Sequence, residues 1–312
     1  MLRVRNLLRP LLDTIDPDRS IRRSTLRSVR RLQYRGWRID APEKGNELLA
    51  EALEKNLPFA AGKLGATESK VFKQLHGPAN KVTESARTEI LLHSGVFPND
   101  DLNLRRFSQI YLDRLSALDF LAVWYQSGER ELVDRLERRP NCAELTALEP
   151  YYFDPPWSRH LAGKKVLVVS PFVGTIQRQY ERCRSTIWSD VRVLPNFSMR
   201  FLKFPHSAQL EPNEFRSWYD ILRHFETKLE QTDFDVALVG AGAATMPLAV
   251  HAKRVGKIGI GMGGSLQVLF GIAGRRWDQL SFFRNRMNEN WVRPAEDETP
   301  SRANLVENGA YW

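Results

Sequence analysis

The chain has 312 residues, of which 42% are hydrophobic, 10% aromatic and 27% charged. These ordinary values exclude extensive disorder, collagen and a coiled coil, and the length fits one large α/β domain or two small ones. No stretch reaches the roughly 18 consecutive apolar residues of a membrane-spanning helix. Two cysteines, Cys142 and Cys183, cannot build a disulfide scaffold or a multi-cysteine zinc site. With no signal-peptide pattern, we expect a cytoplasmic protein.

The net charge of +9 is concentrated in the first 38 residues, which hold eleven arginines against three aspartates. The rest of the chain is nearly neutral, so we do not expect nucleic acid as a partner. Apolar residues recur at helical spacing here, which predicts a basic amphipathic arm over residues 1–40. Two interpretations stay open. Residues 1–38 either bind an anionic membrane surface, as peripheral attachment to the inner membrane face, or dock on protein.

The first half of the body, after residue 41, alternates helices and short apolar strands. The patterns predict strands over 59–65 and 120–124 and helices over 43–56, 66–75, 83–93, 103–116 and 129–138. Residues 140–160 combine four prolines with four large aromatic residues, Tyr151, Tyr152, Phe153 and Trp157. This composition predicts an ordered connection and a sub-boundary within the domain.

The second half continues the alternation with apolar runs typical of strands that are buried on both faces. We predict strands over 165–170, 191–194, 235–239 and 257–260, and helices over 175–184, 213–231 and from residue 242 to about 255. The body, 41–312, is therefore predicted as one Rossmann-like α/β domain, an open, mostly parallel sheet with helices on both faces. Residues 275–312 hold three tryptophans, so we expect this segment to wrap over the body.

Ligands of open α/β sheets bind beyond the carboxyl ends of the strands, so the turns after the strands carry the functional prediction. In the first, Lys63-Leu-Gly-Ala-Thr-Glu68, Gly65 permits a tight turn and Thr67 opens a helix. Backbone amides there are suited to an anion, and Glu68 is suited to a sugar hydroxyl or a metal ion. The alternative is a helix cap with glutamate in the favourable first turn.

The next two turns are also candidates for ligand contact. Ser170-Pro-Phe172 precedes a predicted helix and is equally suited to a simple turn and N-cap. Gly240-Ala-Gly-Ala243 is similar to a dinucleotide fingerprint, but Thr245 stands where the third small residue belongs, and no acidic residue ends the next strand. We therefore expect no NAD. Approach of a phosphate to a helix N-terminus and close helix–sheet packing both remain as interpretations of this turn.

The fourth turn, Gly261-Met-Gly-Gly-Ser-Leu-Gln267, is rich in backbone donors and follows the next strand. Two glycine-rich turns on consecutive strands predict one shared site that suits a diphosphate. Two arginines of the C-terminal segment, Arg275 and Arg293, complete the predicted set. The predicted donor- and phosphate-binding residues are Lys63, Gly65, Thr67, Pro171, Phe172, Gly240, Gly242, Ala243, Gly263, Gly264, Ser265, Gln267, Arg275 and Arg293.

These four turns occur in the order seen in GT-D-type glycosyltransferases, which the chain resembles over roughly residues 45–272. The blocks 288–294 and 311–312 resemble those of a bacterial offshoot associated with surface-polysaccharide biosynthesis. In the family the first turn reads Gly-Asp-Gly-Glu, and both acids serve donor and metal. Gly65 and Glu68 match this motif, whereas Ala66 stands in place of the aspartate.

The resemblance implies a Rossmann-like fold and transfer of a sugar from a nucleotide-diphosphate donor to a polysaccharide or glycolipid acceptor. It also implies a divalent cation, Mn²⁺ or Mg²⁺, at Glu68, which we take as the candidate catalytic residue. The helix N-termini at the glycine turns would stabilise the departing diphosphate electrostatically. The alternatives are a non-catalytic nucleotide or sugar binder, suggested by the missing aspartate, and another Rossmann-like enzyme that uses NAD or S-adenosylmethionine.

Overall fold

The computed structural model describes residues 32, 34 and 36–312. The first 31 residues, which hold most of the predicted basic arm, lie outside the described residues. Eleven α-helices are described: α1 Pro42–Lys55, α2 Ala66–His76, α3 Glu84–Ser94, α4 Asp101–Ser116, α5 Glu129–Val133, α6 Val173–Ile187, α7 Trp218–Glu230, α8 Thr245–Arg254, α9 Ser265–Leu269, α10 Arg275–Asp278 and α11 Ser281–Arg284. Within this part of the chain, no helix is long and apolar enough to span a membrane.

The seven described strands form one sheet in the order β3-β2-β1-β7-β6-β4-β5, and every neighbouring pair is parallel. They are β1 Phe59–Gly62, β2 Phe120–Val123, β3 Asn141–Glu144, β4 Lys165–Ser170, β5 Ser198–Lys203, β6 Val236–Val239 and β7 Ile258–Gly261. The predicted Rossmann-like α/β class is confirmed. The central strands β2, β6 and β7 are buried at every residue, which explains their uninterrupted apolar sequences.

Helices cover both faces of the sheet. Helices α2, α3, α4, α5, α7 and α8 pack on one face, while α1, α6, α9 and the C-terminal segment pack on the other. The helices that follow the adjacent strands β1 and β7 lie on opposite faces, as do those that follow β6 and β4. This arrangement opens a crevice at the carboxyl edge of the sheet.

The edge strand on the β4 side differs from its prediction. The predicted strand over Val191–Leu194 is wrong: these residues form turns, and the strand is β5, Ser198–Lys203. Val193 and Leu194 are apolar because they are buried in the core, and their carbonyls accept hydrogen bonds from side chains rather than from a strand. β5 consists of exposed and half-buried residues because it lies at the edge of the sheet, so its sequence contains no uninterrupted apolar run.

The segment 140–160 begins with β3, which the sequence did not predict, and continues through short 3₁₀ turns, Leu145–Leu148, Pro150–Tyr152 and Trp157–Leu161. It links β3 and β4, which belong to the same sheet. Its aromatic residues anchor it, since Trp157 is fully buried and Tyr151 stacks on Trp188 with ring centroids 4.8 Å apart.

The C-terminal segment folds back over the body. Ala273 and Val292 are joined by a backbone hydrogen bond of 2.8 Å, and the Gln267 amide donates to the carbonyl of Tyr311 at 3.0 Å. The Trp291 indole donates to the carbonyl of Ile187 at 3.2 Å. These contacts bring the last residues of the segment to the carboxyl edge of the sheet.

Candidate functional site

A cavity of about 220 Å³ lies at the carboxyl edge of the sheet. Its walls come from the turns after β1, β4, β5, β6 and β7, together with Trp124 after β2 and the last residues of the C-terminal segment. The structure thus brings together the four turns that the sequence singled out. The predicted residues that line the cavity are Lys63, Gly65, Thr67, Glu68, Pro171, Phe172, Gly240, Gly242, Gly263, Gly264 and Gln267.

Four predicted residues do not line the cavity. Ala243 belongs to the short 3₁₀ turn before α8, and the Ser265 hydroxyl donates to the carbonyl of Met262 at 2.9 Å. Arg275 is exposed and donates to the carbonyl of Asn308, while Arg293 forms an exposed ion pair with Asp278 at 2.7 Å. The arginine that reaches the cavity is Arg276, next to the predicted Arg275 in the chain.

Lys63 is the central cation of the cavity. Its ammonium lies 4.7 Å from the centroid of the Trp124 ring and forms no ion pair with any described residue. Burial lowers the pKa of Lys63; Glu149 opposes this shift, and the neighbouring charge of Arg276 adds to it. A desolvated cation without a partner at the ligand-binding edge of an α/β sheet favours an anionic ligand.

Arg276, the second cation, already has a partner. Its guanidinium pairs with the carboxylate of Glu307 and lies over the ring of Tyr311, 4.8 Å from the centroid. The Tyr311 ring in turn covers Gly264, where an added β carbon would come within 2.6 Å of the ring. The predicted phosphate contact at Gly264 is therefore occupied by a side chain of the protein itself.

Glu68 lies on the wall of the cavity, 5% exposed. It is the third residue of α2, and its carboxylate folds back over Gly65, so closely that a β carbon at that position would collide with it. Oε2 accepts from the Thr67 hydroxyl at 2.9 Å, and that hydroxyl also contacts the hydroxyl of Ser94. Glu68 therefore both covers the start of α2, as in the capping alternative, and contributes a carboxylate to the cavity.

The start of α6, the other predicted helix terminus, is covered by a carboxylate from the C-terminal segment. Glu298, 2% exposed, accepts from the backbone amides of Gly174 and Thr175 at 2.7 and 2.9 Å and from the Thr175 hydroxyl at 2.6 Å. These donors are not available to a ligand anion. Pro171 and Phe172 reach the cavity only as an apolar wall.

Apart from Phe172, the aromatic and imidazole side chains of the cavity were not predicted as site residues. Trp124, His93 and His206 line it, together with Tyr311 and Trp312. His206 lies between Phe172 and Trp312, with ring centroids 5.8 and 5.7 Å away. Trp124, His93 and His206 stand near the end of a strand or helix, which was the available signal, but no motif distinguishes them from core residues.

The described side chains around Glu68 do not supply the set of ligands that a divalent cation needs. No group of three His, Cys, Asp or Glu side chains suited to a metal ion occurs among the described residues. One oxygen of Glu68 is bound to Thr67, and Ala66 supplies no carboxylate. The donor set therefore does not fit a resident metal ion.

A comparison of this chain with protein-family models, with curated proteins and with solved structures finds no match.

Proposed function

We propose that this protein is a glycosyltransferase that binds a nucleotide-sugar donor in the cavity and transfers the sugar to a polysaccharide or glycolipid acceptor. The observation that carries the proposal is Lys63, a half-buried cation without an ion-pair partner among the described residues, at the carboxyl edge between β1 and β7. A diphosphate supplies the missing negative charge, and as a leaving group it gains charge that Lys63 stabilises.

The rest of the cavity suits the other parts of such a donor. The carboxylate of Glu68, beside the hydroxyls of Thr67 and Ser94, is suited to accept hydrogen bonds from sugar hydroxyls. The rings of Trp124 and Trp312 add apolar surface suited to a sugar or a nucleobase. In this proposal Glu68 contacts the donor sugar and Lys63 contacts the diphosphate.

The basic arm extends the same proposal to the acceptor. Residues 1–38 carry a net charge of +8 from eleven arginines and three aspartates. Contact of this arm with an anionic membrane surface would bring the cavity close to a lipid-linked acceptor. Sedimentation with anionic vesicles, compared with neutral vesicles and with a chain that lacks residues 1–31, tests this part separately.

Thermal shifts in the presence of UDP, GDP, TDP, CMP, NAD and S-adenosylmethionine, each with and without Mn²⁺, test the proposal. A ligand that binds only the folded state stabilises it by mass action. We expect one nucleoside diphosphate to raise the melting temperature, with release of that diphosphate from its nucleotide sugar. Stabilisation by NAD or S-adenosylmethionine alone would contradict the proposal.

A non-catalytic nucleotide or sugar binder is the second candidate. It is favoured by Ala66, which replaces a family carboxylate, and by the donor set that does not fit a metal ion. The two candidates differ in one measurement, because a binder is stabilised by the nucleotide sugar without releasing nucleoside diphosphate, with or without added acceptor glycans.

A further inference from the structure

His206 is held in one orientation by the C-terminal segment. It follows β5 by three residues, and its Nε2 lies 3.2 Å from the carbonyl oxygen of Glu298. A carbonyl oxygen only accepts hydrogen bonds, so Nε2 must carry the proton. In the neutral ring the other nitrogen, Nδ1, is then an acceptor with a free lone pair.

The partner of His206 is itself fixed. The carboxylate of Glu298 is bound by three donors at the start of α6, and its carbonyl also accepts from the Trp312 indole at 3.1 Å. The imidazole is further confined by the rings of Phe172 and Trp312. Its orientation is therefore set by a helix and two aromatic rings rather than by a surface loop.

Burial keeps the imidazole ring of His206 neutral at pH 7. Burial lowers the pKa of His206; the charges of Glu211 and Glu298 and the bond to the Glu298 carbonyl oppose this shift, while Lys203 adds to it. Nδ1 has no hydrogen-bond partner among the described residues, and His206 lines the cavity. A neutral imidazole with one nitrogen tied to a carbonyl and the other free is the arrangement of a proton acceptor.

We propose that Nδ1 of His206 is the general base of the sugar transfer, an inference that rests on the proposed function. The acceptor hydroxyl oxygen forms a bond to the anomeric carbon, and its proton passes to Nδ1. The bond from that carbon to the diphosphate oxygen breaks, and its electron pair leaves with the nucleoside diphosphate. The imidazolium then returns the proton to solvent. Glu298 is the positioning residue, because it holds the tautomer without touching the substrate.

The other ionisable side chains of the cavity suit this role less well. Lys63 is the cation assigned to the diphosphate, and Arg276 is paired with Glu307. Glu68 lies against Gly65 and is bound by the Thr67 hydroxyl. His93 also lines the cavity, so it serves as the rival base in the experiment.

The test compares wild type with H206Q, in which the glutamine amide can still donate to the Glu298 carbonyl but cannot take a proton. Hydrolysis of the nucleotide sugar that stabilises the wild type is followed as release of nucleoside diphosphate, with water in place of the acceptor. We expect kcat to fall by about 10²–10⁴-fold in H206Q with an unchanged Kd for the nucleoside diphosphate. The acid limb of the pH–rate profile should disappear. H224Q, at an exposed histidine outside the cavity, should behave as wild type.

Retained turnover and an unchanged acid limb in H206Q would overturn the assignment. Loss of the acid limb in H93Q, with the limb retained in H206Q, would also overturn it. If H206Q does not fold, imidazole ¹⁵N spectra of the wild type decide: we expect a proton on Nε2 at pH 7, and a proton on Nδ1 would refute the role. If the wild type releases no nucleoside diphosphate from any nucleotide sugar, the proposed function fails. If the wild type does release nucleoside diphosphate and H206Q does so equally well, the base assignment fails while the proposed function stands.

Discussion

The helices α2 and α6 begin at the same edge of the sheet, and each has a buried glutamate over its first turn. Glu68 comes from the first turn of α2 itself, whereas Glu298 is 123 residues from its partner Thr175. Glu298 is bound by three donors, but Glu68 accepts one side-chain hydrogen bond, from Thr67. The start of α6 is thus filled by a carboxylate of the protein itself. At the start of α2, by contrast, the carboxylate of Glu68 and the unpaired Lys63 line the cavity.

The largest effect is expected from removal of the distant glutamate. E298A leaves two backbone amides and a hydroxyl without their charged acceptor, so we expect the free energy of unfolding to fall by about 4 kcal/mol. Urea denaturation measures this change. E296A, at an exposed position nearby, should change stability by less than about 0.5 kcal/mol. A loss in E298A as small as that of E296A would show that the contact is not structural.

A third buried carboxylate at this edge, Glu129, predicts a pH effect. It is fully buried, accepts from the amides of Trp124 and Gln126 and from the Tyr34 hydroxyl, and burial raises its pKa to about 7. Because the pKa of Glu129 is raised in the folded state, the contribution of this residue to stability is fully present below about pH 4.5. That contribution is lost as the pH rises towards 7. We expect this loss to be about 3 kcal/mol.

Denaturation of wild type and E129Q across this pH range measures the Glu129 contribution. The slope between pH 4.5 and 7 should be smaller in E129Q, whatever its absolute stability, since glutamine does not titrate. Equal slopes in the two proteins would assign the pH dependence to other groups, such as Glu149, whose pKa burial also raises to about 7.

Replacement of the unpaired cation should separate binding from stability. K63M removes a desolvated charge without an ion-pair partner, so the ligand-free protein should gain about 1 kcal/mol. The same variant should lose the thermal shift caused by a nucleoside diphosphate. K81M, at an exposed lysine outside the cavity, should retain it. Full retention of the shift in K63M would remove Lys63 from the ligand site.

The smallest change in stability is expected at the local glutamate. In E68Q the amide oxygen can still accept from the Thr67 hydroxyl, so the free energy of unfolding should change by less than about 0.5 kcal/mol. Affinity for the nucleotide sugar, measured by calorimetry, should nevertheless fall about tenfold, as expected for a lost charge-assisted hydrogen bond. Affinity for the nucleoside diphosphate alone should stay unchanged. A large loss of stability with unchanged affinity would make Glu68 a helix cap only.

The sequence predicted the parts of the fold and site that depend on neighbouring residues. The apolar run of β4 and the glycine turns after β6 and β7 were found because short-range patterns define them. β3 and β5 were missed because their mixed polarity reflects positions at the edges of the sheet. Edge position depends on how distant strands pair, which the local pattern does not contain.

The same dependence on local sequence decides which residues of the site could be predicted. Lys63 and Glu68 follow a recognisable strand and turn, so they could be predicted. Glu298 and His206 are far apart in sequence and meet near the start of α6, so neither has a local signature. Arg275 was predicted where Arg276 reaches the cavity, because composition does not say which side of a short helix faces inward.

The strand order has a consequence for how the chain assembles. β7 lies between β1 and β6, and it pairs Ile258 with both Phe59 and Val236. Among the described strands, only β7 joins β3-β2-β1 to β6-β4-β5, so without β7 the apolar strands β1 and β6 would each present an unpaired edge. Such edges promote association between chains, and distant pairing slows folding. A nascent chain that stops short of residue 258 therefore exposes two aggregation-prone edges, and the last strand protects both in a single step.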